Sequence, residues 1–270
     1  MSRTAWLVAI VIVVVASAVG LQAQWLRYPT RGVPRLPNGQ PNLSAPAPKS
    51  SDGTPDLSGV WLANPESGTG VSFTGAPLPP LFRDIGARLK GGLPYRPWAR
   101  DLTNARQADD MKDSPDGRCL PLSNLWLHSH LFPSKILQVP GLVVILYEKG
   151  VDYRQIFTDG RPLPVDPNPS WVGYSSGRWD GDTLVVQSTG FRDGLWLDAN
   201  GSPLTDGARL TEKFRRVSYG KLQIDVTVDD LKAYSAPWTV RLNQFLALDT
   251  DLVDYICHEN EKDLTHLVGK

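Results

Sequence analysis

The sequence predicts a mainly β fold: an antiparallel meander of about 8–10 strands closed into a barrel. Three observations carry this. From Lys135 onward the chain falls into short apolar or alternating runs punctuated by turn residues, such as Pro140-Gly141 and Asp180-Gly181. Hydrophobic residues make up 41% of the 270 positions, enough for a sizeable single core. So many consecutive antiparallel strands also need closure, because an open sheet would leave unpaired edges.

The elements follow in chain order. Residues 1–23 carry Arg3, an apolar run from Ala5 to Val19 and the small residue Ala23, the parts of a secretory signal peptide. Leu21 sits where a small residue is usual, so an uncleaved anchor is the alternative, and membrane contact is expected only through it. Residues 24–56 form a proline-rich arm or linker, with Pro at 29, 34, 37, 41, 46, 48 and 55. An echo within it, Asn38-Gly39-Gln40-Pro41-Asn42-Leu43-Ser44 against Asp52-Gly53-Thr54-Pro55-Asp56-Leu57-Ser58, reads as two similar turns.

Residues 57–270 are read as one β-barrel domain with two short helices near 81–111. Leu81, Ile85 and Leu89 have helical spacing, as do Trp98, Leu102, Ala105 and Ala108, with Gly91-Gly92 and Pro94 between the two stretches. Strands are expected at 58–63, 135–139, 142–149, 152–158, 171–179, 182–189, 210–217, 222–228, 238–247 and 252–258. Asp180-Gly181 suits a type I′ hairpin, and Ser218-Tyr219-Gly220 a three-residue loop with a left-handed Gly. That loop sets a register of Arg216 with Leu222, Phe214 with Ile224 and Glu212 with Val226, with Lys213 facing Asp225 on the other side. One face is then apolar but for Glu212 and Arg216.

The stretch Pro55-Asp56-Leu57-Ser58-Gly59-Val60-Trp61 resembles the first strand of lipocalin-like (calycin) barrels, whose Gly-x-Trp places a Trp at the barrel floor, and Asp152-Tyr153 is similar to their second motif. The chain is also similar to an uncharacterised family of exported bacterial proteins. The matching phrases include PDLSGVW (55–61), RCLP (118–121), YRQIFTDGRPLP (153–164), PSWVGYSSGRWDGDTLVV (169–186), AYSAPWTV (233–240) and CHENEKD (257–263). This resemblance implies a lipocalin-like barrel and export, and brings no activity, cofactor or catalytic residue. Members of that family often carry Gly-His-Pro-His where this chain has Gly201-Ser202-Pro203-Leu204, a departure from the resemblance.

Composition narrows the chemistry. Lys plus Arg and Asp plus Glu number 28 each, so the chain lacks the basic surplus that draws a protein to nucleic acid. Two Cys exclude an all-cysteine zinc site or a four-thiolate cluster, and no cofactor is indicated. In an exported chain Cys119 and Cys257 are expected to form a disulfide; a nucleophilic Cys257 beside His258 is the alternative.

His128 and His130, two apart in an extended segment, would point to one side as metal ligands do, but no third ligand is evident, and no metal site is assigned. Asp198-Ala199-Asn200-Gly201-Ser202 begins like a calcium loop, yet Pro203 and Arg209 stand where the turn Gly and the bidentate Glu belong. Nucleophile-elbow, zincin, Walker and dinucleotide signatures are absent.

Asp159-Gly160-Arg161 leads into a loop stiffened by Pro162, Pro164, Pro167 and Pro169 before Trp171, a preorganised rim at which Arg161 and Arg154 could hold a carboxylate or phosphate. A plain Asp159–arginine salt bridge is the alternative. Trp61, Trp171, Trp179 and Trp238 fall in or beside strands and supply an aromatic lining. Glu148 and Glu212, in otherwise apolar strands, are the candidate acids or bases.

The leading expectation is a periplasmic or secreted protein that binds a small apolar or aromatic molecule in a barrel cavity, through Arg154, Asp159, Arg161, Trp171, Trp179 and Trp238. A cofactor-independent lyase, isomerase or hydrolase using Glu212 or Glu148 in the same cavity is the first alternative. An envelope interaction protein working through the arm is the second.

Overall fold

A computed structural model describes residues 28–63, 80–257 and 259; the proposed signal peptide lies outside them. Nine strands close a barrel in the order β1 (Gly59–Ala63), β2 (Ser134–Val139), β3 (Leu142–Tyr147), β4 (Tyr153–Phe157), β5 (Tyr174–Asp180), β6 (Thr183–Thr189), β9 (Arg209–Ser218), β10 (Lys221–Asp229), β11 (Trp238–Ala247) and back to β1. Between β6 and β9 the chain leaves the wall for a small ribbon, β7 (Leu195–Trp196) and β8 (Pro203–Leu204).

The barrel is mixed rather than wholly antiparallel. Strands that alternate in direction around a ring can all be antiparallel only if their number is even. With nine, one pair must run parallel. That pair is β4–β5, joined through only Ile156↔Ser175 and Phe157↔Ser176.

Period-2 alternation fills the interior. Leu210, Glu212, Phe214 and Arg216 of β9 are buried, as are Leu222, Ile224, Val226 and Val228 of β10 and Trp238, Val240, Leu242, Gln244 and Leu246 of β11. The β9–β10 register is the one the sequence implies: Arg216↔Leu222, Phe214↔Ile224, Glu212↔Val226 and Lys213↔Asp225. The turn differs from expectation. Ser218 pairs with Lys221, leaving a two-residue turn and a bulge at Val217, and Gly220 is not left-handed. Glycine is required there because an added Cβ would lie 2.6 Å from Leu43 of the arm. Likewise Asp180 pairs with Thr183, so Gly181-Asp182 form the turn, and a positive φ at Gly181 alone is the type II′ rather than the I′ pattern.

Three helices lie among the described residues. α1 (Pro80–Arg83) is a single turn, shorter than the Leu81–Leu89 spacing predicts. α2 (Pro97–Ala108) matches its prediction, with Pro97 in the first turn where its missing N–H costs nothing. α3 (Asn124–Ser129) is wholly buried and was expected as extended chain; it carries His128 in among the inward residues of the barrel. Leu252 to Cys257, expected as a last strand, form none, because β1 already pairs β11 on one side and β2 on the other. The tail is instead held by Val253 N–H on Glu148 Oε2, by Lys135 on Asp251 and by the Cys119–Cys257 disulfide, Cα atoms 5.7 Å apart.

The arm clings to this body. Its two echoed segments adopt the same turn: Leu36 N–H on Gln40 O and Asn42 N–H on Pro34 O in the first, Ser50 N–H on Thr54 O and Asp56 N–H on Pro48 O in the second. Gly39 and Gly53 have matching φ values of 81° and 85°. Arg216 donates to Asp56 O and stacks over Trp61, whose indole N–H caps Leu57 O.

Candidate functional site

At the centre of the barrel a charged cluster is sealed off from solvent. Arg154 on β4 has inward parity with Ile156, and Glu212 on β9 with Leu210 and Phe214. Their side chains meet in a bidentate pair, Arg154 Nη1 to Glu212 Oε1 at 3.0 Å and Nη2 to Oε2. Arg154 also donates to Ser175 Oγ at 3.1 Å and Ser188 Oγ at 2.9 Å, so four of its five N–H groups are bonded. His128 Nε2 lies 3.1 Å from Glu212 Oε1. A carboxylate only accepts, so Nε2 carries the proton and Nδ1 is left with a bare lone pair, buried and without a hydrogen-bond partner among the described residues.

Burial works against the charge on Glu212, but Arg154 and the His128 hydrogen bond outweigh it and hold the carboxyl down at about 2. Burial pushes His128 down, toward the neutral form. Glu212 is thus a permanently ionised anchor for a guanidinium and an imidazole. Glu148 is elsewhere, after β3 at the head of the 3₁₀ turn Lys149–Val151, where burial raises its pKa and Val253 N–H bonds it. The two candidate carboxylates have no partner in common.

His128 and His130 also part company. His130 faces Asp116, 3.6 Å away, and Asp116 takes Lys149 Nζ at 2.6 Å. These partners hold Asp116 at about 2 against its burial. Lys149 reaches Tyr255 as well, tying this second cluster to the tail. Among the described residues no group of His, Cys, Asp and Glu could hold a metal ion; His258 and His266 lie outside them.

The wall opens at the parallel seam. A cleft of about 580 Å³ lies over β4 and β5, lined by Asp152, Tyr153, Phe157, Arg161, Trp171 and Tyr174 among others, with Pro162 and Pro164 of the stiff loop at its rim and Ser175 between it and Arg154. Gly173 lets the chain turn in here: its φ is 69°, and a Cβ would lie 2.8 Å from both Phe191 and Thr189 O. Arg161 is clamped by Asp159 at 2.6–3.0 Å and its guanidinium carbon lies over Phe157, 3.8 Å from the ring centroid. Asp152 differs: burial alone lifts its carboxyl to about 6, with no cation or donor among the described residues to offset it.

Of the residues expected to meet a ligand, Arg161 and Trp171 line this cleft and Asp159 fixes Arg161. Arg154 stands behind it through Ser175. The predicted arginine pair is not formed, since one guanidinium points into the barrel and the other sits on the rim, each with its own carboxylate. Trp179 is half-buried on β5, and Trp238 is buried inside the barrel against Tyr234. Sequence reasoning missed Ser175, Ser188 and Asp152. The signal for the serines was their parity, since Ser188 shares the inward face with Leu184 and Val186.

The position of the Gly-His-Pro-His phrase is structural in this chain. Ser202 donates to Asp198, contacts Tyr95 Oη at 2.7 Å, and Leu204 is fully buried. Comparison of the chain with protein-family models, curated proteins and solved structures finds no match. The disulfide fits a non-cytoplasmic compartment, where thiols oxidise and stay oxidised.

Proposed function

We propose that this protein, periplasmic or secreted and a member of the exported family whose phrases it carries, binds a small apolar or aromatic molecule, and that the ligand lies in the wall cleft rather than along the barrel axis. The observation that carries this reading is the cleft itself. Its volume of about 580 Å³ falls in the range of small-molecule sites, and Phe157, Trp171 and Tyr174 supply the apolar contact such sites use. The barrel axis at the level of Glu212 is occupied by side chains packed against one another, His128 edge-on to Tyr147 and Phe214. Intrinsic tryptophan fluorescence of the protein, titrated with a panel of lipids, phenolics and terpenoids, tests it. A saturable change that Trp171→Ala weakens about tenfold or more supports the cleft, in line with the loss of one aromatic contact. Silence across the panel refutes it.

One observation favours acid–base catalysis as a second reading: the bare, buried Nδ1 of His128, whose tautomer Glu212 fixes. In that case His128, not Glu212, takes the proton. Any compound the panel identifies as turned over must then be left unchanged by His128→Gln protein; turnover that survives the substitution removes His128 from the role.

A further inference from the structure

The sequence suggests an anion site, two arginines at a rigid rim, but in the structure each of those arginines is already paired with a carboxylate. Arg161 is neutralised by Asp159 through two of its nitrogens. Arg154 is neutralised by Glu212 behind the Ser175 floor. Apart from Arg161, the charged side chain lining the cleft among the described residues is Asp152. No hydrogen bond or ion pair to its carboxylate occurs among those residues, which leaves one uncompensated negative charge in a partly desolvated wall.

The aromatic surface agrees in sign. Ring faces carry negative potential and attract cations. The molecule already uses two of them in this way, with Arg161 over Phe157 at 3.8 Å and Arg192 over Trp171 at 4.2 Å. Tyr153 and Tyr174, in the same lining, have no such partner among the described residues and are 62% and 39% exposed. A carboxylate without a counter-ion beside open tyrosine faces is the chemistry that recognises an ammonium group.

We propose that the β4–β5 cleft selects a cationic ligand, an amine on an aromatic or apolar body, with Asp152 as its counter-charge and Tyr153 and Tyr174 as its aromatic contacts. The proposal rests on the cleft being the binding site and adds the charge of the ligand. It reverses the anion preference that Arg154 and Arg161 suggest in sequence. Each arginine is held by a nearer carboxylate, so neither is free for an incoming anion.

Isothermal titration at pH 8 with 2-phenylethylamine and its neutral counterpart 2-phenylethanol tests the charge separately from the site. The parent is expected to bind the amine about tenfold more tightly than the alcohol, the scale of one desolvated cation–aromatic or ion-pair contact. Asp152→Asn is expected to bring the amine down to the affinity of the alcohol and leave the alcohol unchanged, while Asp152→Glu keeps the preference. Thermal unfolding of both variants verifies that they are folded. Equal affinities in the parent, or a preference that survives Asp152→Asn, overturn cation selection and leave the cleft standing as the site. Silence toward both compounds overturns the proposal, and with a silent panel it overturns the cleft reading too.

Discussion

The ladder β9–β10–β11 and the seam β4–β5 belong to one barrel wall and use it oppositely. In the ladder, β10 keeps register from Leu222 to Asp229 along β9 and from Lys221 to Val228 along β11, so backbone groups are paired and inward side chains interlock. At the seam two register pairs survive, and the cleft opens beside them. The sealed pair ties the two together, Arg154 from β4 to Glu212 from β9, whereas the Asp159–Arg161 pair at the rim of the seam is washed by solvent. The difference teaches that stability and access are assigned to different sectors. An odd strand count forces a parallel pair somewhere, and in this chain that break in pairing coincides with the cleft over β4 and β5.

The sharpest test of this division compares the two ion pairs. Glu212→Ala leaves the Arg154 guanidinium buried without a counter-charge and is expected to cost about 3–5 kcal/mol in urea unfolding. Asp159→Ala, which frees Arg161 at the surface, is expected to leave the unfolding midpoint nearly unchanged, because solvent screens that pair. The pH profile gives the sign. Glu212 is held at about 2 when folded against an ordinary value near 4.5, so its contribution is present above 4.5 and is lost as pH falls toward 2. The gap between parent and Glu212→Gln should close over that window; a gap independent of pH would mean that the pair does not hold the centre. Asp116, also lowered to about 2, adds acid sensitivity that both proteins share.

The second comparison sets the ladder against the tail, which has no ladder. Since Leu252 to Cys257 lack strand partners, the Cys119–Cys257 bond carries what β pairing would otherwise supply. It closes a loop of 138 residues, for which the chain-entropy model allows about 5 kcal/mol at most. Cys257→Ser is expected to lose about 2–4 kcal/mol and to melt at a distinctly lower temperature. Exported protein should show no free thiol under denaturing conditions until reductant is added. Two titratable thiols would refute the bond.

What the sequence made legible follows the same division. The β9–β10 register could be read because Leu222, Ile224, Val226 and Val228 alternate without interruption opposite Leu210 and Phe214, and a slip of one residue would expose them all. Val253, Tyr255 and Cys257 alternate as well, but alternation does not reveal that β1 has already taken the last free edge. The short helix α3 was hidden because its six residues are buried on every side and so have no amphipathic period. At the site, Arg154 and Glu212 were each singled out, while their pairing across 58 residues was not, because charge pairing in a barrel depends on which strands become neighbours. Asp152 was singled out only within the Asp152-Tyr153 phrase and not as a site residue: a carboxylate beside a turn looks like any solvated one until the fold partly buries it.

The smallest expected effect bears most directly on the seam. If Asp152 is kept for binding, it should be a liability for folding. Its carboxyl, near 3.8 in an ordinary setting, is lifted to about 6 by burial with no compensating partner. A folded pKa above the unfolded one means that stability is greatest below about 3.8 and falls as pH rises through about 6. Asp152→Asn removes that loss. At pH 7 the variant should be more stable than the parent by about 1–2 kcal/mol, a figure kept low because the side chain retains contact with water. Near pH 3.5 the two should unfold at the same urea concentration. A stability gain coupled to the loss of amine preference is the pattern of a residue retained for function at the expense of the fold. An Asn variant less stable than the parent at pH 7 would show instead that Asp152 supports the 3₁₀ turn beside it, and would move the carboxylate from the ligand's side of the cleft to the scaffold's.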